Sequence, residues 1–417
     1  MGVFWRSGLA VLLLAIAPAG AAPCGTSLPG KYLTAFLGCN HALFNCLDPL
    51  NHQVYLAHSD DGASWSLVPG WVPYSGSVPD VIRRGVDLYI YTPGQVRRYR
   101  GATGTWEAAV PVTLTDALAD SYVDPSLTID GLGRLVMFYL IGIFGQDPAQ
   151  CAPAEPSCTK HFHSATEDAG SDGTSFTVNP GDRAAVTIGN PGSASDPDLY
   201  SDYGRYVLYI SRGASVQALT SGALHGVYTN VPALPGGILT TRGGVPAGHF
   251  HPQTARYWTF VQSGDIYRAA HASLDSPIPN MDFMSVVNPV AIGLGPDFEV
   301  GSPSFALNAP TVAPEVFGLN ITQPGNTISW TAFPNATSYD LIRGDLSSFA
   351  CATDHVDLGA VTCVADNLPA TSIGDFVDPA PGQTFFYLVR PNLPLFKGTY
   401  GYSPDGGEDV PSSGGCS

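Results

Sequence analysis

Apolar positions along this chain alternate with polar ones in short runs, and Gly, Pro, Asn or Asp ends each run before a helical period can build. That pattern predicts strands and tight turns rather than helices. The stretch YVDPSLTIDG at 122–131 shows the unit. An Asp-Pro leads into an alternating segment, a turn follows, and LGRLVMFYL then reads as a second, largely buried strand. Proline cannot donate to a ladder, so Pro125 is expected at the first position of a strand. Asp124 would then sit at that strand's mouth rather than in its body.

Aligned on the proline, the unit recurs. VPDVIRRGVDLYIY begins at Val78, DPDLYSDYGRYVLYIS at Asp196, HPQTARYWTFV at His251 and SPSFAL at Ser302. Prolines 79, 125, 197, 252 and 303 are spaced by 46, 72, 55 and 51 residues. A period of this size, with short strands in each unit, predicts a β-propeller. Between these units, HSDDGASW (58–65), ATEDAGSDGTSF (165–176) and AHASLDSPIPNMDF (270–283) resemble the Asp-box hairpins on the outer part of sialidase-like blades. Their aspartates are expected to cap turns through backbone N–H groups. The last proline unit has no partner strands after it, so residues 31–70 are expected to supply the outer strands of the blade whose inner strand is 302–308. Such a closure removes the open edges of a broken ring. Five blades follow, or six if 31–70 holds a further inner strand.

From Ala309 the texture changes to a Pro-rich linker and then short strands, with Trp330 in one and Tyr339 in the next. The order ISW, SYDLIRG, FFYLVR resembles a fibronectin type III module. The fold class is thus all-β: a five-bladed propeller over 24–308 followed by a β-sandwich over 309–417. Trp330 is expected in the sandwich core and Trp258 and Tyr257 in a blade core. Trp71 and Tyr74, in a loop, offer a sugar-stacking face.

Composition adds compartment and partner class. Residues 1–21 carry one cation, Arg6, an apolar run from Leu9 to Ile16, and small residues before a cut after Ala21. They read as a secretory signal peptide, too short to span a bilayer. A secreted, monomeric protein with no transmembrane segment is expected. The formal charge of −17 excludes nucleic acid as a partner class. Eight cysteines in an exported chain read as disulfides. Close spacing suggests Cys39/Cys46, Cys151/Cys158 and Cys351/Cys363, with the second pair stapling an insertion in the longest repeat.

In a propeller the inner strands run side by side around the axis, so their first residues converge on one funnel. Those positions are Val78, Asp124, Asp196, His251 and Ser302, and two residues further on come Asp80, Ser126, Asp198, Gln253 and Ser304. Here the chain resembles the five-bladed glycoside hydrolases of family 43, the arabinanase and β-xylosidase type, over about 77–305. The likeness lies in SVPDVIRRGVDLYIY, VDPSLTIDGLGRLVMFY, SDPDLYSDYGRYVLYIS and AGHFHPQTARYWTF. It implies a glycan-acting protein with a polysaccharide or glycoconjugate partner. Asp124 takes the place of the carboxylate that tunes the acid, Asp196 that of the general acid, and His249 or His251 that of the axial histidine. The family's general base falls on Ser302, so Glu299, three residues earlier, or Asp80 is the stand-in; Asp80, Asp198, His249, His251 and Ser302 are expected to contact substrate. No cofactor is implied beyond a central calcium held by the axial histidines with Asp124 and Asp196. The alternative is a non-catalytic extracellular propeller that binds glycan or protein. No converging arginine triad of the sialidase kind is legible.

Overall fold

The computed structural model describes residues 28–115, 121–142, 149–252, 254–308, 319–322, 326–351, 356–380, 383–395, 397–400 and 411–417. The signal-peptide segment, Cys24, Gln253 and the linker at 309–318 lie outside the described residues. The chain is all-β, and residues 32–307 form five sheets. In each, an inner strand pairs antiparallel with the next strand outward. The second sheet runs Asp80–Arg84, Asp87–Thr92, Gln95–Arg100, Thr105–Trp106, and the third Tyr122–Ile129, Leu135–Ile141, Ser157–Glu167, Ser175–Val178. The fourth begins with Ser195–Ser201 and the fifth with Gly244–His251. Inner strands of successive sheets lie against one another, which makes this a propeller.

The first sheet is built from both ends of this region. Its inner segments Phe298–Gly301 and Ala306–Leu307 pair with Tyr32–Asn40, which pairs with Gln53–Ser59. This is the closure expected from the order of the units. Hydrophobic sheet faces then meet between neighbouring sheets: Tyr89, Tyr91 and Val96 of the second pack with Leu127, Met137 and Phe176 of the third.

Val78-Pro79 directly precedes the strand that starts at Asp80, as expected, but three of the X-Pro units lie inside their strands. Val123 faces Leu140 and Ser126 faces Phe138, so Asp124 and Pro125 oppose a single residue. Ser195/Asp198 and Gly244/Ala247 show the same register shift. Each is a β-bulge, where the unpaired residue needs no ladder N–H and proline fits. The residue before the proline has positive φ every time: Val78 42°, Asp124 52°, Asp196 47°, Val245 46°, Ser302 45°. Asp tolerates that region, whereas valine does so only under constraint, so the fold imposes the bend. The series also corrects the fourth unit. Its repeat is Val245-Pro246; His251 ends the same strand and Pro252 belongs to the turn beyond it.

The tail holds two three-stranded sheets, one ordered Asn320–Thr322, Thr327–Ser329, Ser372–Gly374 and the other Val361–Leu368, Ser338–Asp345, Phe385–Asn392. Trp330 and Tyr339 are buried. One apolar cluster joins them to Tyr203 and Phe250 of the fourth and fifth sheets. Asn335 Nδ2 also donates to the Asp202 carbonyl at 3.0 Å. Cys39–Cys46 and Cys151–Cys158 are disulfides as their spacing suggested. Cys363, however, pairs with Cys416 rather than Cys351, because the C-terminal segment returns to the Val361–Leu368 strand.

Candidate functional site at the propeller axis

The five X-Pro bends meet. Val78-Pro79, Asp124-Pro125, Asp196-Pro197, Val245-Pro246 and Ser302-Pro303 line one concavity, with Asp80 and Asp198 beneath. Rigid prolines form its wall, and the residue before each proline is turned toward it by the bend. Asp124 and Asp196 come from neighbouring sheets. Asp124 Oδ2 accepts the backbone N–H of Asp196 at 3.2 Å, and Ser195 Oγ donates to Asp196 Oδ2 at 2.6 Å. The same step recurs around the ring with other side chains. Ser211 Oγ accepts from Val245 N at 3.0 Å, and Gln262 Oε1 accepts from Ser302 N at 3.0 Å.

A second layer of side chains lies two residues inward. Asp80 Oδ2 accepts from Leu127 N at 2.7 Å, Ser126 Oγ from Leu199 N at 2.9 Å, and Asp198 Oδ2 from Gly248 N at 2.7 Å. Each thus ties its inner strand to the next one around the ring. Asp80 and Asp198 are 6% and 8% exposed. Burial pushes Asp198 up to about 7, against the pull of the Gly248 bond. Burial, and then the nearby Asp198, pushes Asp80 well above the usual carboxylate range. Both carboxyl groups are already committed to a backbone N–H of the neighbouring inner strand. Asp80 and Asp198 therefore serve the ring as linkers.

The other expected residues lie elsewhere. Glu299 is 59% exposed, stands opposite Cys39 in the first sheet, lies 3.9 Å from His41 Nδ1, and does not line the concavity. His249 and His251 lie four and six residues beyond the fourth bulge, roughly 13 and 20 Å along an extended strand. His249 stacks on Phe305 at 4.6 Å and its buried Nε2 has no hydrogen-bond partner. Burial drives it down to about 3, so it is neutral. His251 Nε2 meets the Tyr32 hydroxyl at 2.9 Å. Neither lines the concavity, which separates them from Asp124 and Asp196. The axial histidines expected beside a central calcium are thus not brought to Asp124 and Asp196, and among the described residues no three His, Cys, Asp or Glu side chains gather as a ligand set.

The concavity measures about 280 Å³ out to its open side, but the centre of a water-sized body can occupy only about 20 Å³ of it. That is room for about one water, below the range of pockets that enclose small molecules.

Two groupings escaped the sequence. Arg84, Arg98 and Arg100 do converge, but on Asp172, with Glu167, Glu107 and Asp87 as further partners. Their carboxylates come from the chain itself, so the cluster is a clamp between second and third sheets. Arg97 lies over Trp71, Tyr74 and Trp106 at 4.7, 5.1 and 5.5 Å from their ring centres, covering the aromatic face expected to stack on sugar.

No known family profile matches the chain, and no curated protein does. Solved structures similar to it are arabinanase and xylosidase propellers of glycoside hydrolase family 43. The RS223 β-xylosidase is 12% identical, with 73% of this chain and 94% of that one covered and a TM-score of 0.41. The family 43 endo-arabinanase of Bacillus licheniformis is 14% identical, with coverage of 80% and 96% and a TM-score of 0.35. A protein of unknown function from Dyadobacter fermentans is 12% identical, with coverage of 63% and 83% and a TM-score of 0.39. The likeness is one of fold, and function has to be argued from this chain's own residues.

Proposed function

We propose that the chain is an exported glycan-binding propeller whose axial concavity receives sugar hydroxyls through Asp124 and Asp196, without cleaving the glycosidic bond. The observation that carries this reading is the distribution of side chains over the five equivalent positions that precede proline with positive φ. Two adjacent positions hold carboxyl groups, Asp124 and Asp196, and the remaining three hold Val78, Val245 and Ser302. Glycoside hydrolysis needs a second carboxylate across the scissile bond from the acid. The ring offers a serine and two valines there, Glu299 faces solvent, and Asp80 is buried with its carboxyl bonded to the Leu127 N–H. Paired carboxyl oxygens remain good acceptors for sugar hydroxyls. Disulfides and the N-terminal leader pattern support an extracellular setting.

A hydrolase is the second reading, favoured by the contact between Asp124 and the backbone of Asp196, which places two carboxyls side by side. The test is a panel of plant and microbial polysaccharides and aryl-glycosides, scored for retention and for release of reducing ends. Retention without release, lost in Asp124→Asn, is the expected result. Release that disappears in Asp196→Asn would establish hydrolysis instead. Neither retention nor release on any glycan would end both readings.

A further inference from the structure

The Ser157–Glu167 strand carries His161 and His163, two residues apart and so on one face of the sheet. Both turn Nδ1 toward a single carboxylate. Asp182 Oδ2 lies 2.6 Å from His161 Nδ1, and its Oδ1 lies 3.6 Å from His163 Nδ1. When Nδ1–H of a neutral imidazole faces a carboxylate, the lone pair resides on Nε2. A carboxylate so placed behind a histidine is the arrangement that aims Nε2 at a metal and raises its basicity.

Both imidazoles line a cavity of about 270 Å³, together with Leu140, Ile141, Thr159 and Lys160. His161 is half exposed and His163 one-fifth exposed, so the rings are held by the sheet yet reachable. The ammonium of Lys160 is engaged by the Gln150 carbonyl at 2.5 Å. None of these residues lines the axial concavity.

We propose that His161 and His163 bind one divalent first-row transition-metal ion through their Nε2 atoms, with Asp182 as the orienting carboxylate. Imidazole nitrogen suits zinc, copper and nickel, and water would complete the shell. Among the described residues no third His, Cys, Asp or Glu joins them as a converging ligand set, so the site is open rather than closed.

The experiment is a calorimetric titration of the chelator-treated full chain with zinc chloride, repeated with cobalt(II) and read by absorption. One saturable equivalent is expected. His161→Ala and His163→Gln should each abolish it, and Asp182→Asn should weaken it about 10–100-fold. His161→Ala serves as the folding control, because its exposed ring can be removed without opening the core; its melting in chelator should match the parent. Absence of saturable binding, or binding unchanged in both histidine variants, would overturn the proposal.

Discussion

The carboxylate of Asp124 holds the backbone N–H of Asp196 at 3.2 Å across the boundary between two sheets. One side chain therefore both lines the concavity and fixes the neighbouring bulge that presents the second acid. Its two roles separate by substitution. Asp124→Asn keeps an acceptor oxygen and should fold within about 1 kcal/mol of the parent. Asp124→Ala leaves the Asp196 N–H without that partner and should cost on the order of 1–3 kcal/mol. Urea unfolding of both variants, alongside glycan retention, checks this: both should lose retention and only the alanine should lose stability.

Asp198 makes stability depend on pH in the opposite sense to a salt-bridged carboxylate. Its folded value is raised to about 7 by burial. The folded chain thus holds a proton that the unfolded chain releases near 4, and the contribution is complete below 4 and lost as pH rises toward 7. The effect is on the order of 4 kcal/mol at most, and Asp80 acts in the same direction. His249, held near 3 by burial, contributes in the opposite sense over the same window, so the Asp198 effect is read as a difference: between pH 4 and 7 the melting temperature of the parent should fall relative to that of Asp198→Asn, whose amide oxygen can still accept from Gly248.

Gly248 lies where the inner strand of the fifth sheet meets the fourth. A Cβ there would fall on the rings of Tyr200 and Tyr209, which hydrogen-bond each other at 2.7 Å in a fully buried position. Neither ring has room to move in a closely packed core. Gly248→Ala should therefore destabilise by at least about 1–3 kcal/mol, measured by chemical unfolding.

Removal of the Cys363–Cys416 disulfide should be costly, because it closes a long loop with a sequence separation of 53. The chain-entropy model gives about 4 kcal/mol for a loop of this length. The double Cys363→Ala/Cys416→Ala variant should show that loss in calorimetry. Since Trp330 shares a cluster with Tyr203 and Phe250, loosening should register in propeller as well as tail signals.

The ring was legible because proline at a bulge is a local necessity that leaves a periodic mark. Asp124, Asp196 and Ser302 were found that way, and so was the closure by residues 31–70. The fourth unit was misplaced because two prolines, Pro246 and Pro252, stand six residues apart, and HPQTARYWTFV also reads as a proline followed by a turn and a strand. The signal was present, since Val245-Pro246 repeats the Val78-Pro79 dipeptide. The Cys363–Cys416 bond and the arginine clamp on Asp172 were not legible. Both join segments far apart in sequence, and no local pattern records which distant partner the fold brings near. The depth of the concavity is likewise a sum over five sheets.

The first sheet also sets a clock. Ser304 Oγ donates to the Ala35 carbonyl at 3.0 Å across a sequence separation of 269. A ribosome adds about 5–20 residues per second, so the partner of the earliest strand is made roughly 15–50 s after it. Throughout that interval Tyr32–Asn40 has an unpaired edge, the kind of surface on which chains stick to one another. Contacts of such high sequence separation also fold slowly. The ring accordingly cannot close until residues 298–307 are made, and a chain ended before residue 298 yields a sheet missing its axial strand rather than a smaller propeller.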